Sequence, residues 1–163
     1  MPGVVVPGLV GAAIAVLPTP ARATVRQVTL RWGPVALGAY QVRRDTSFPR
    51  TPLANGFITA MSARLVDANG NAAPVQRMML HHVLFSNEGG PERSDRVDGA
   101  CPDVPRQRFF GRGEEGRALD LPAGYGYPIA SGDRWRMNWM LMNHTYKTES
   151  CLLYTSPSPR DRS

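Results

Sequence analysis

Lysine is almost missing from this chain of 163 residues: Lys147 stands alone, and every other positive charge is an arginine. Outside the N-terminus there is no run of about 18 apolar residues, which excludes a bundle of membrane-spanning helices. No window carries the 3.6-residue apolar period with caps at its ends, which excludes a helical bundle. Histidine occurs only at positions 81, 82 and 144, and cysteine only at 101 and 151. There is no G-x-S-x-G elbow around Ser86 or any other serine, and Asp67, Asp98, Asp103 and Glu114 lie in loop-like stretches without a readable spacing. Hydrolytic chemistry therefore has no motif to rest on.

What is plentiful is Gly and Pro, 16 and 15 residues, or 31 of 163. That predicts many turns between short elements. Charged residues make up 20% and hydrophobic residues 42%, an ordinary globular balance for one domain. Nineteen Lys and Arg against thirteen Asp and Glu give +6.

Both ends are set apart. Val4 to Leu17 is apolar and small, followed by Pro18, Pro20 and an Ala21-Arg22-Ala23 cleavage pattern. Residues 1–23 are read as a signal peptide, so the protein is expected to be exported: secreted, periplasmic or extracellular. At the other end, Cys151 to Asp161 (CLLYTSPSPRD) resembles the translation of a transposase-type sequencing adapter. Residues 151–163 are expected to be adapter-derived, leaving 24–150 as an incomplete domain. Its charge is 16 basic residues (19 less Arg22, Arg160 and Arg162) against 12 acidic (13 less Asp161), or +4. This mild balance points to no nucleic-acid partner and, beyond the signal peptide, to no membrane. With Cys151 set aside, Cys101 is either a free thiol or, the favoured reading, one half of a disulfide whose partner is missing.

The rest reads as strands: Val25–Trp32, Phe57–Val66, Val75–Phe85, Arg108–Gly111, Ala118–Leu121, Gly126–Ile129 and Arg134–Thr145. Asp67-Ala68-Asn69-Gly70 is a tight-turn signal, so Phe57–Val66 and Val75–Phe85 are expected to form one long hairpin. The fold class expected is all-β, an antiparallel β-sandwich of jelly-roll type. Gly111 to Gly116 fits G-x-G-x-x-G, but no helix follows and Glu114 and Glu115 would repel a pyrophosphate, so it reads as a turn. Asn143-His144-Thr145 fits the glycosylation sequon within a strand.

All three histidines fall in apolar strands. Imidazole suits copper and zinc. Neighbours on a regular strand point to opposite faces, so His81 and His82 can share one ion only at a twist, a bulge or a sheet edge. In the last strand, alternation sets Arg136, Asn138, Met140, Met142 and His144 on one side and Trp135, Met137, Trp139 and Leu141 on the core side. Met140 and Met142 are candidate soft neighbours of a metal, or packing residues.

The run LVDANGNAAPVQRMMLHHVLF, then GACPDVPRQRFFGRGEEG, then LPAGYGYPI, then a strand ending in His144 resembles the plant stress up-regulated nodulin family. The likeness covers about residues 25–145. The layout also resembles the N-terminal domain of copper type II, ascorbate-dependent monooxygenases of the peptidylglycine alpha-hydroxylating kind. That resemblance implies His81, His82 and His144 as ligands of an electron-transferring copper, with zinc the lesser alternative, and Cys101 as a disulfide cysteine. It also implies a sandwich fold. Such enzymes need a second domain with two more histidines and a methionine, which nothing after His144 supplies. The partners implied are a small-molecule reductant and that second domain. A non-catalytic secreted sandwich without metal is the alternative reading.

Overall fold

Alternation of buried and exposed side chains organises the chain, and the chain's strands come from residues that sustain it. The computed structural model describes residues 24–52, 55–88 and 107–161. The described residues form β1 (Leu30–Leu37), β2 (Val42–Ser47), β3 (Gly56–Val66), β4 (Met78–Asn87), β5 (Gln107–Gly113), β6 (Leu119–Asp120), β7 (Tyr127–Ile129), β8 (Trp135–Asn143) and β9 (Glu149–Asp161). All pairings between strands are antiparallel, and no helix occurs among the described residues.

One sheet has the order β1-β9-β3-β6, with β7 also on β3; the other has the order β2-β8-β4-β5. The chain passes back and forth between the sheets, so most sequence neighbours do not pair. This is the interleaving of a jelly-roll sandwich, and it agrees with the all-β expectation.

The core lies between the sheets. Trp135, Trp139, Phe85, Leu37, Ile58, Met61, Met137, Leu141 and Leu153 are all fully buried there. Trp32 of β1 packs on Trp139 of β8 with ring centroids 4.6 Å apart, which ties the two sheets directly. A second aromatic group joins Phe85, Phe109, Trp135 and Tyr127, with Phe109 stacked on Tyr127 at 4.7 Å. Burying such rings is the largest favourable term available to a sandwich of this size.

Three expectations change. Phe57–Val66 and Val75–Phe85 do not form a hairpin: β3 pairs with β9, β6 and β7, and β4 pairs with β8 and β5. Each strand has one apolar face, and placing them in opposite sheets buries both faces in one core. The Asn69-Gly70 signal is spent on a local turn inside the connecting arch. There the Asp67 carboxylate accepts from the Asn69 and Asn71 backbone N–H groups at 2.9 Å each. The first strand begins at Leu30, not at Val25. And β2, exposed along nearly its whole length, has no apolar alternation to announce it. It is an edge strand held to β8 by backbone pairing.

Residues 149–161 form the strand between β1 and β3. Cys151, Leu153 and Thr155 face the core, and Leu152 and Tyr154 are only half-buried. Ladder hydrogen bonds use backbone groups that every residue but proline supplies in full. Cys151 is a free thiol, and burial pushes its pKa up to about 11. The proposed signal peptide (1–23) and Cys101 lie outside the described residues. Among the described residues no helix is long and apolar enough to cross a membrane.

Candidate metal centre

The histidine pair sits in β4, the inner strand between β8 and β5. Its placement follows from register. Leu80 pairs with Leu141 and His82 with Met140, so His81 is one extra residue on β4 with no partner of its own on β8. That is a β-bulge. Its effect is visible in the burial: Leu80 packs on the core and so does Val83, three positions later. A regular strand would put those two on opposite faces. The extra residue absorbs the difference, and both histidines face outward.

The two imidazoles meet there. His81 Nδ1 and His82 Nδ1 are 3.1 Å apart, and the rings stand nearly edge to face. Two nitrogens bound to one ion at about 2.0–2.1 Å would be this far apart at an angle of roughly 100° at the ion. Burial holds the His82 pKa below its ordinary value, with repulsion from His81 adding to it. His82 is therefore neutral at neutral pH, the form that offers a lone pair.

The surroundings come from four strands. Met140 is the cross-strand partner of His82, and Met79 is the partner of Met142. All three methionines are half-buried on the same outward face as the histidines. Arg44 and Val42 of β2 lie beyond them, paired with Met140 and Met142. On the other side, Gly113 pairs with His82 and ends β5. The chain turns there, with Gly116 N–H donating to the Gly113 carbonyl at 3.2 Å. Gly116 has φ +70°, which favours glycine. The turn carries Glu114 to the pair, and its Oε1 lies 3.2 Å from His81 Nε2. The G-x-G-x-x-G match is thus the end of β5, Gly111 to Gly113, followed by a turn that brings a carboxylate to the histidines.

His144 is placed elsewhere. It follows β8, and its backbone N–H donates to the Arg77 carbonyl at 2.9 Å. From Met140, opposite His82, it is four residues along the strand, roughly 13 Å of backbone. Its side chain is exposed. Its neighbour Asn143 is buried, 2% exposed, and its amide donates to the Gly38 and Lys147 carbonyls at 2.8 and 2.6 Å. Asn143 Oδ1 accepts from the Thr145 N–H and hydroxyl. The sequon amide is therefore engaged in the folded protein. Among the described residues no three His, Cys, Asp or Glu side chains are grouped to hold one ion. The structure brings together His81, His82 and the methionine face.

Glu114 and Met79 were not picked out from the sequence as neighbours of the histidines. Met79 could have been found by alternation on β4. Glu114 could not, because its closeness depends on the β4–β5 register.

The side chains gathered on this face are two imidazoles with thioethers beside them, types that could hold copper. The chain is similar to two curated proteins. It is 36% identical over 121 residues to probable copper-dependent oxygenase M1 of Phoma sp., covering 71% of this chain and 29% of that protein. It is 36% identical over 98 residues to probable copper-dependent oxygenase clz3 of Cochliobolus lunatus, covering 57% of this chain and 30% of that protein. The chain spans under a third of the length of either relative. No known family profile matches the chain, and no solved structure does. The chain is related to copper-oxygenase-type domains; neither relative bears the nodulin name.

Proposed function

We propose that this sandwich is a copper-binding domain of a copper-dependent oxygenase, and that His81 and His82 anchor the copper. One observation carries the reading: the bulge turns both imidazoles to one face and sets their Nδ1 atoms 3.1 Å apart. The named relatives support copper over zinc. So does the methionine face, because thioether sulfur prefers soft, reduced copper. The residues fit the ion as a two-nitrogen nucleus with room for a further donor.

Copper held here would supply one-electron redox chemistry. The chain's own residues bind and orient it. The two imidazoles offer neutral nitrogen donors, and the half-buried methionines and Leu84 limit water on that face. A centre on one sandwich that passes an electron needs an oxygen-activating centre in another part of the protein and a small-molecule reductant. Export, directed by residues 1–23, and a natural protein that departs from this sequence after Ser150 belong to the same proposal.

Copper(I) titration against a chromophoric chelator tests the reading. Stoichiometric binding is expected, with His81→Ala and His82→Ala each weakening it more than tenfold. His144→Ala separates two forms of the site: an equal loss makes His144 a third ligand, and an effect under twofold leaves the pair alone.

A second reading has its own observation. His144 lies apart from the pair, exposed just beyond the end of β8 with its backbone N–H bound to the Arg77 carbonyl, and this placement favours a secreted module without metal. A folded protein that retains no stoichiometric copper after dialysis against it establishes that reading instead.

A further inference from the structure

We infer that Glu114 is a positioning residue for the histidine pair: its carboxylate holds the Nε2–H of His81, fixes that tautomer, and so turns the His81 Nδ1 lone pair toward the ion. The inference rests on the copper reading above and adds a residue and a ligand atom to it.

A neutral imidazole has one N–H and one lone pair. Which nitrogen keeps the proton is set by the partner of the other. His81 has two polar neighbours, one at each nitrogen. Glu114 Oε1 lies 3.2 Å from Nε2, and His82 Nδ1 lies 3.1 Å from Nδ1. A carboxylate can only accept, so it selects the proton at Nε2. His81 Nδ1 is then an acceptor, and the contact with His82 is made by His82 Nδ1–H donating to it. The metal-free pair is closed by that one proton. To offer Nδ1 to an ion, His82 would have to carry its proton on Nε2 instead. His81 needs no change at all. Carboxylate–histidine–metal arrangements of this kind orient the ring and raise the basicity of the ligand nitrogen.

Placement of Glu114 is built into the fold. Gly113 pairs with His82 at the end of β5, and the Gly113–Gly116 turn puts the next residue beside the pair. Glu115, the other acid of the turn, is on a different duty: its charge acts on Arg112, whose guanidinium reaches across the sandwich to the Ala63 carbonyl.

The test uses Glu114→Ala and Glu114→Gln. Glu114 is more than half exposed, so neither variant should disturb folding, and circular dichroism checks this. The first readout is the imidazole nitrogen spectrum of the metal-free protein at about pH 8, where histidines are neutral. Wild-type His81 is expected as the Nε2–H tautomer and Glu114→Ala as a mixture. Glu114→Gln is expected to restore the tautomer in part, because the amide oxygen also accepts. The second readout is copper(I) affinity, expected to fall about tenfold in Glu114→Ala. An Nδ1–H tautomer for wild-type His81 overturns the inference. So does an unchanged affinity in Glu114→Ala when His81→Ala is itself impaired, and then the copper reading stands. If His81→Ala and His82→Ala both bind copper as the wild type does, the copper reading falls and the ligand role with it.

Discussion

β8 and β4 lie side by side in one sheet, yet they treat their side chains differently. β8 alternates without a break: Trp135, Met137, Trp139, Leu141 and Asn143 are buried, and the residues between them are half-exposed. β4 alternates up to Leu80, stalls for one residue, and resumes at Val83. β8 is a packing strand throughout. β4 gives up one step of regular pairing, and that step holds the histidines. A bulge leaves a residue unpaired and bends the strand. It also puts two consecutive side chains on one face, which regular strands cannot do. The contrast teaches that two adjacent histidines on one strand need a local fault in the ladder to share a face, and that the fault is tolerated where one face is already open to solvent.

Deletions break this comparison most sharply. Removing Met140 should unfold the domain, because every side chain on one side of the cut changes face. Removing His81 should be tolerated, because Leu80, His82 and Val83 would then alternate correctly. Thermal unfolding monitored by circular dichroism reads both. If the His81 deletion unfolds the protein as fully as the Met140 deletion, the bulge is not the spare residue described here.

Point substitutions on the two faces of β8 come next. Trp139→Ala should cost about 3–5 kcal/mol, since the ring is fully buried against Trp32. Met140→Ala, one residue away on the outward face, should cost about 1 kcal/mol or less. Denaturant titration measures both, and similar losses would contradict the assigned faces.

The end of β8 offers a smaller effect. Asn143→Ala should cost about 1–3 kcal/mol, because it strips the buried Leu37 carbonyl and the Gly38 and Lys147 carbonyls of their shared donor. A loss below about 0.5 kcal/mol in the same titration would show that the amide is not holding the β1–β2 and β8–β9 turns together.

The smallest effect lies in the arch between β3 and β4. Backbone N–H groups, that of Asn71 foremost, hold the Asp67 carboxyl below its ordinary value of 3.8. A depressed carboxyl contributes stability that is present above its unfolded value and lost as pH falls through the folded one. Acid unfolding should therefore steepen below about pH 3.8, and Asp67→Asn should flatten that limb. The same slope in the variant would assign the acid sensitivity to other groups.

Much of this was legible in the residues. The core and outward sets of β8 follow from alternation alone, including Met140, Met142 and His144 on the outward side. The strands around β3, β4, β5 and β8 could be placed within a few residues. β2 could not, because an edge strand held by backbone groups leaves no apolar pattern in VRRDTS. The condition for a shared site at His81 and His82, a bulge, was also clear from the period of two. Whether the bulge exists depended on the partner strand: only the pairing of Leu80 with Leu141 and His82 with Met140 leaves His81 over.

By itself, the sequence determined the class of fold and the faces of its most regular strand, because these depend on side-chain type and local period. The tertiary structure decided which strands meet, where the ladder slips, and that Glu114 reaches His81 while His144 lies along the sheet. Those facts depend on register between segments far apart in the chain, and nothing in a single strand's pattern encodes the register of its neighbour.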